Sequence, residues 1–444
     1  MDLSDVVITG LAEGTLVSAK TPLLTIEGPI SKVQLLETPL LNLVGFATLV
    51  ATKAMRIRQV AGPTKSLLEF GARRAHSPQS AVIASYAAII GGFDGTSNVK
   101  AAEMHNIHCK GTMAHAYISS HISVMYKGIV ESEYMVVPKN TPSTKESLAK
   151  YVITKRKELG GLFLTTNDSE LGAFMSYACI HPNNFLPIVD TFGTLKSGIY
   201  NFILVASSLQ KLGYSPVGVR LDSGDLAYIS IKVREICNKY LISPITIVAS
   251  NDIDEDVIKS LNEQNHEIDA FGVGTKLVNP KQSLGCVYKM VEFDGLPTTK
   301  LSDTKNKISI PGKKCPYRLY ICVDNKIFPY VDVLVPCYEE KDISTNCTIM
   351  CRHPFDDSKR FNITPYKIIK LHQVIWDNNI IKDPTMIKVD MMKAKKYVKS
   401  QVENFRVDHL RFVNPTPYKV SLTNSLKHKF DELVETLSPV ITIS

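Results

Sequence analysis

Along the chain the spacing of apolar positions changes character twice. Residues 6–28 carry short apolar runs broken at Gly10, at Glu13-Gly14 and near Thr21-Pro22, which predicts short strands. From Ser31 to about Val60 the positions Val33, Leu36, Leu40, Leu43, Val44 and Ala47 fall at helical spacing, with Pro39 suited to a helix start or a kink. Residues 61–280 then alternate helical stretches with short apolar strands at 66–71, 108–114, 185–192, 217–222, 245–250 and 270–274. Amphipathic stretches at 197–213 and 227–241 lie between them, and this alternation predicts a parallel sheet, closed or open. After Ser283 strands dominate again, through CVYKMVEF, TTKLS, YRLYICV and IFPYVDVLV, and residues 421–437 read as a final amphipathic helix. No internal repeat is visible. The layout predicts an α/β protein: residues 1–30 with 283–340 as a discontinuous β domain, residues 31–282 as the α/β part with the active site, and residues 341–444 as strands and helices packing on both.

Composition changes this picture little. The 444 residues are 44% hydrophobic and 21% charged, the profile of a globular protein large enough for two or three domains. A formal charge of +8 is spread over short clusters such as residues 313–315 and 393–396. There is no basic-aromatic platform for nucleic acid, so a small anionic substrate is the better expectation. The apolar stretch 40–55 contains Asn42, Thr48 and Thr52 and falls short of the ~20 residues that cross a bilayer, so it is expected to be a buried helix. The start MDLSDVV lacks a basic-then-apolar leader, and nine scattered cysteines then read as free thiols in a reducing, cytoplasmic compartment. Cys347, Cys351 and His353 have a zinc-like spacing, but no fourth ligand is evident and the segment alternates like a strand.

Chemistry in such folds gathers at the carboxyl ends of strands. After residues 66–71 come Arg73 and Arg74, a pair suited to bidentate anion binding or to surface ion pairing. The turn GGFDGTSNV (91–99) offers Gly-flanked backbone N–H groups with Thr96, Ser97 and Asn98. KGTMAHAYISS (110–120) carries His115; taken alone, a single histidine is more often a satisfied core residue than a reactive one. In VRLDSGDLAY (219–228), Arg220 and Asp222 leave a strand on the same face, because strand side chains alternate with period two. Asp225, at the start of the next helix, suits a helix cap. IVASNDID (247–254) ends a strand in Ser250 and Asn251. AFGVGTKLV (270–278) places Gly272, Gly274 and Thr275 before a helix, a natural phosphate site with Lys276 as a nearby cation. It is too short for a dinucleotide fingerprint. Together these describe a pocket for an anionic ring and a phosphorylated sugar, with carboxylates able to hold Mg²⁺.

In this order, EGTLV, QLLETPLLNL, EFGARRA, GGFDGTSNV, GTMAHA, VDTFGTLKSG, GVRLDSGDL, SNDID, FGVGTKLV, LGCVYKMV, KISIPGKK and NPTPYKVSLT resemble the nicotinate phosphoribosyltransferase family, over nearly the whole chain. The resemblance implies an irregular α/β barrel of the type II phosphoribosyltransferases joined to a discontinuous β-sandwich-like domain. It implies formation of nicotinate mononucleotide and pyrophosphate from nicotinate and phosphoribosyl pyrophosphate, coupled to ATP hydrolysis, a step of NAD salvage. By the same resemblance His115 is phosphorylated by ATP. Asp222 and Asp225 stabilise the oxocarbenium-like transition state, with Asp222 on Mg²⁺ or Mn²⁺. Arg220 meets the pyridine carboxylate, Arg73 and Arg74 the pyrophosphate or ring region, Thr96, Ser97, Asn98, Ser250 and Asn251 further substrate groups, and Gly272, Gly274 and Thr275 the 5′-phosphate. A homodimer with active sites at its interface is also implied, with no nucleic acid and no membrane as partner.

Two departures stand out. The family begins well upstream, with a helical segment whose Thr-Asp-Leu-Tyr motif stacks a tyrosine on the pyridine ring across the dimer, and no such motif occurs near Met1. The expectation is a chain lacking that segment, with a truncated non-catalytic or partner-dependent isoform as the alternative. The other departure is His76 in RRAHSPQ, where the family reads Arg-Arg-Ala-Gln-Gly. The nicotinamide-specific relative carries an aspartate where Ser97 stands, so nicotinate is favoured over nicotinamide. Quinolinate phosphoribosyltransferase shares the fold type but is shorter and lacks a match to the His115 segment.

Overall fold

The structure, a computed structural model, describes residues 2–139, 141, 144–242, 244–280, 284–304, 307–382 and 390–438. Contacts divide the chain into two units, Met1–Thr48 with Leu284–Ser444, and Leu49–Ser283. Residues from 341 onward fall in the first unit, because their strands hydrogen-bond into its main sheet.

In that unit, Val7–Leu11 lies between Leu24–Glu27 and His372–Asp377 in an antiparallel sheet. The larger sheet runs Arg360–Ile363, Ile349–Arg352, Lys419–Thr423, Lys326–Pro336, Lys314–Val323, Lys367–Lys370. Period two sorts its side chains onto two buried faces. Cys315, Tyr317, Leu319, Val331, Val333 and Val335 share one core, while Leu334, Val420 and Leu422 face another, closed by Leu426 and Phe430 of the helix Asn424–Leu437. That helix begins at residue 424; residues 421–423, expected to be helical, are the end of a strand, and Thr423 caps the helix instead. The strand expected at 286–293 is regular only at Glu292–Phe293, in a two-residue hairpin with Leu296–Pro297, and residues 298–302 form no strand. Cys351 is core and Cys347 exposed, and no metal-binding cluster of His, Cys, Asp or Glu occurs among the described residues.

In the second unit, Gly95–Thr96, Ser66–Glu69, Ala270–Val273, Thr246–Ala249 and Gly218–Leu221 form a parallel sheet in that order. Single parallel bridges extend both edges, Thr96 to Cys109 on one side and Ile188 to Arg220 on the other. The segments 108–114 and 185–192 thus enter the sheet at one residue each rather than as full strands. Gly95–Thr96, read from sequence as a turn, is a strand. Helices follow the strands, among them the apolar Pro78–Ile90 and the amphipathic Ile199–Lys211, Leu226–Lys239 and Glu255–Glu263.

The apolar stretch 40–55 belongs to a longer helix, Glu37–Ala61, with Pro39 in its first turn where a missing N–H costs nothing. At 25 residues it is long and apolar enough to cross a membrane by length and composition. The expectation of a buried helix holds only for its second half. Val50, Ala54, Ile57 and Ala61 are buried, whereas Leu43 is half exposed. Lys53 and Arg56 in that half pair with Glu255, and Arg58 binds Asp94 and three backbone carbonyls.

Candidate active site

The carboxyl ends of the parallel segments bring most of the singled-out residues together, and Arg220 is the centre of the arrangement. Its Nε donates to Ser250 Oγ at 2.7 Å, one terminal nitrogen to Thr112 Oγ1 at 3.2 Å and the other to Asp222 Oδ1 at 3.0 Å. Its guanidinium lies 5.2 Å from the centre of the Phe70 ring. Ser250 in turn donates to Asp222 Oδ1. Four parallel segments therefore fix one cation, and of its five N–H donors two remain for a ligand.

His115 opens a short helix just beyond the Cys109 bridge. Its Nδ1 is 2.9 Å from Thr191 Oγ1, and its Nε2 is 3.6 Å from Asp222 Oδ2 and 3.9 Å from Asp190 Oδ1. The imidazole is 44% exposed, so it is not a core histidine satisfied by its neighbours. Asp190 Oδ2 accepts from Ser223, while Asp190 Oδ1 is buried without a hydrogen-bond partner among the described residues. An acceptor left this way is costly unless something else binds it.

The glycines act through close approach. A Cβ on Gly272 would fall 2.4 Å from the Phe70 ring and 3.2 Å from Ser250 Cβ, so glycine lets the ring lie across the sheet beside Arg220. Gly274 and the exposed Thr275 open the short helix Thr275–Val278. Arg73 and Arg74 stand exposed in the turn Ala72–Arg74, without an ion-pair partner among the described residues, and Asn279 ties the Arg74 carbonyl at 2.8 Å. Lys276 lies 3.8 Å from Asp254.

Several candidates face elsewhere. Glu69, fully buried, accepts from the Thr96 hydroxyl at 2.5 Å, from Ser85 at 2.8 Å and from the Gly71 N–H. Asn98 donates to Ser85 at 3.2 Å and caps the helix Val99–His105. Thr96 and Asn98 thus belong to a buried network behind the strand ends, while Ser97 lies beside Gly111 at the site's edge. Asp225 caps Leu226–Lys239 through the Tyr228 N–H at 3.0 Å, and it makes no hydrogen bond or ion pair with His115, Arg220 or Asp222. Asn251 is exposed next to Ser250. Asp190, Thr191, Thr112 and Phe70 were not singled out from sequence. Asp190 carried a usable signal, since it ends the apolar run FLPIVD just as Asp222 ends VGVRLD.

Residues 65–170 match the nicotinate phosphoribosyltransferase (NAPRTase) family, and residues 313–430 match the nicotinate phosphoribosyltransferase C-terminal domain. Nicotinate phosphoribosyltransferase 1 of Arabidopsis thaliana is 44% identical over 442 residues, 96% of this chain and 77% of its own length. The chain belongs to the nicotinate phosphoribosyltransferase family. The Caenorhabditis elegans nicotinate phosphoribosyltransferase is 42% identical, over 95% of this chain and 76% of its own. Among solved structures, human nicotinic acid phosphoribosyltransferase superposes with a TM-score of 0.84 at 30% identity, covering 98% of this chain and 83% of that one. The NAPRTase match at 65–170 takes in His115, Thr112, Phe70 and the arginine pair, and the Arabidopsis relative aligns across the Arg220 segment as well.

Proposed function

We propose that the chain makes nicotinate mononucleotide and pyrophosphate from nicotinate and phosphoribosyl pyrophosphate, with ATP hydrolysed alongside. The observation that carries this reading is the convergence of His115, Asp190, Asp222 and Arg220 at one sheet end of a family member. The two free donors of Arg220 face a nicotinate carboxylate, and Ser97 at the edge adds no charge to repel it. The pyridine nitrogen attacks C1 of the ribose; the N–C1 bond forms as the C1–O bond breaks, and its electron pair leaves with pyrophosphate. Asp222 and Asp190 supply negative charge for the oxocarbenium-like transition state. Asp225, as a cap, acts on the helix rather than on the sugar.

In the tautomer that donates Nδ1–H to Thr191, His115 keeps a lone pair on Nε2, the nitrogen nearer Asp222 and Asp190. Attack of that lone pair on the γ-phosphorus of ATP forms an N–P bond as the bridging P–O bond breaks and ADP departs. Hard oxygen donors suit Mg²⁺ or Mn²⁺, which binds through one or two carboxylates and substrate phosphates, and Asp222 Oδ2 is the group that would hold it. Bound there, the ion would offset the charge of carboxylates and phosphates.

The contact between His115 and Thr191 joins the ends of the two outermost parallel segments, which supports reading the open sheet as an irregular barrel, with the two-faced sheet of the other unit as its β-sandwich-like companion. A homodimer with sites at its interface follows from the family resemblance. Nine unpaired cysteines suit a reducing cytosol. The test is purified chain incubated with nicotinate, phosphoribosyl pyrophosphate and Mg²⁺, with and without ATP, with nicotinate mononucleotide measured by chromatography. Product that rises with ATP is expected; no product from folded protein would overturn the reading in favour of a non-catalytic isoform.

A further inference from the structure

Behind the loop that carries Asp190 and Thr191 lies a second carboxyl group, with no role in the steps above. Glu170, in the helix Asp168–Ile180, is fully buried. Its Oε2 accepts from Ser197 Oγ at 2.6 Å and from Asn201 Nδ2 at 3.0 Å. Ser197 belongs to the connection 190–198, which ends in a π-helical turn, Thr194–Gly198. That connection is folded tightly on itself, for a Cβ on Gly198 would fall 1.8 Å from the Val189 carbonyl oxygen. Asn201 also donates to the Asn167 carbonyl at 3.0 Å, and Ser197 accepts the Asn167 N–H at 3.0 Å. One carboxyl thus ties the far end of the segment that presents Asp190 and Thr191 to the helices Asp168–Ile180 and Ile199–Lys211.

We propose that Glu170 is a positioning residue for the reaction centre: it holds the 190–198 connection, and through it Asp190 and Thr191, against His115. The proposal rests on His115 being the reactive group. The donor count specifies the protonation state in which Glu170 does this. Among the described residues, three buried carbonyl or carboxyl oxygens in this region lack a partner, Glu170 Oε1, Asn201 Oδ1 and Asp190 Oδ1, as does the Ser169 hydroxyl. A proton on Glu170 Oε1 turns one of these acceptors into a donor and leaves Oε2 to its present partners. It also avoids a second negative charge near Asp190, the charged group whose field acts on Glu170. The other neighbouring elements add little charge. Asn201 faces it from Ile199–Lys211, Lys196 of the connection is exposed, and Arg156 of Leu148–Leu159 is taken up by Asp168. The short helices before it contribute His115 and His121, and His121 is bonded to the Tyr117 carbonyl. Burial, with the charge of Asp190 adding to it, pushes the Glu170 carboxyl up to about 7. Below about 7 the Glu170 carboxyl is thereby neutral and holds the loop, while Asp190 faces the imidazole.

Glu170→Gln mimics the protonated form, since its amide oxygen can replace Oε2 and its NH₂ can donate where Oε1–H did. Glu170→Ala removes both. Expected for Glu170→Ala is a kcat about tenfold lower with KM for nicotinate nearly unchanged, the signature of a misplaced reacting group. The wild type should lose kcat as pH rises through about 7, where Glu170 ionises, and Glu170→Gln should flatten that profile. The folded-state value lies above the ordinary 4.5, so wild-type stability falls between those two values and the deficit persists above about 7. At alkaline pH Glu170→Gln should therefore melt no lower than wild type. An unaltered pH profile in Glu170→Gln, wild-type kcat in Glu170→Ala, or lowered melting temperatures with unchanged kcat per folded molecule would each overturn the proposal. Product from wild type in the same assay tests the reading it rests on. Should wild type make none, the His115 ring protons, assigned against His115→Gln, are titrated by NMR. A second inflection near neutrality that vanishes in Glu170→Gln supports the coupling, and identical curves overturn it.

Discussion

Arg220 shows how fully one side chain can be committed before any ligand arrives. Ser250, Thr112, Asp222 and the Phe70 face hold the guanidinium in one orientation, so its free donors are aimed with little entropy left to lose. Arg220→Ala is expected to raise KM for nicotinate by about tenfold or more, through loss of a charge-assisted pair. Arg220→Lys should recover little, because an ammonium cannot span three fixed acceptors with a planar fork. Steady-state kinetics with varied nicotinate check both, and an unchanged KM would remove Arg220 from the carboxylate role. His115→Ala should abolish ATP consumption coupled to product while leaving the fold, read by ADP release per nucleotide formed. For Asp190→Asn, which keeps shape but removes charge, kcat should fall by about tenfold to a hundredfold with circular dichroism unchanged.

At the scale of elements, a cap and a catalytic carboxylate look alike in sequence and differ in what a mutation costs. Asp225→Ala should destabilise the protein by about 1 kcal/mol through loss of the Tyr228 N–H bond, with kcat per folded molecule preserved. Thermal melting alongside kinetics separates the roles. The strongest periodic segments were legible: the strands at 66–69, 218–221, 246–249 and 270–273 each carry apolar residues bounded by turn residues, and the amphipathic stretches 197–213 and 227–241 became helices. The edges were less legible. Segments 108–114 and 185–192 have the composition of strands but pair at a single residue each, because an edge strand's hydrogen bonds depend on how the neighbouring chain turns away. Local pattern also failed at 421–423, where pairing between two other strands buries every residue and outweighs the helical spacing that follows.

Across the whole molecule, the discontinuous unit depends on contacts between residues far apart in sequence. Arg318, nearly inaccessible, donates to both oxygens of Asp332, to the Leu16 carbonyl at 2.6 Å and to Gln401 at 3.3 Å. It therefore joins the first segment, two central strands and the helix Met391–Asn404. Arg318→Met would leave Asp332 buried without its counter-charge, and a loss of about 3–5 kcal/mol in denaturant unfolding is expected. Arg318→Met with Asp332→Leu should recover much of that loss, since no buried charge then remains. Nothing in the sequence marks Arg318 out, as it sits in an alternating strand where an arginine ordinarily faces water.

The sequence alone determined the α/β alternation, the discontinuous β-rich ends, the family and the set of strand-end motifs, because periodicity and short motifs are local properties that survive without coordinates. It placed Arg220 beside Asp222 for the same reason, two residues apart on one strand. Only the tertiary structure decided which polar residues share a site. It moved Thr96 and Asn98 behind the strand ends onto Glu69, gave Asp225 to a helix cap, and set Asp190 and Thr191 against His115 from the opposite edge of the sheet. The pairings of His115 with Asp190 and Thr191 join segments far apart in the chain, His115 and Thr191 being separated by 76 residues. Their geometry follows from the twist and packing of the whole sheet, which no local pattern encodes.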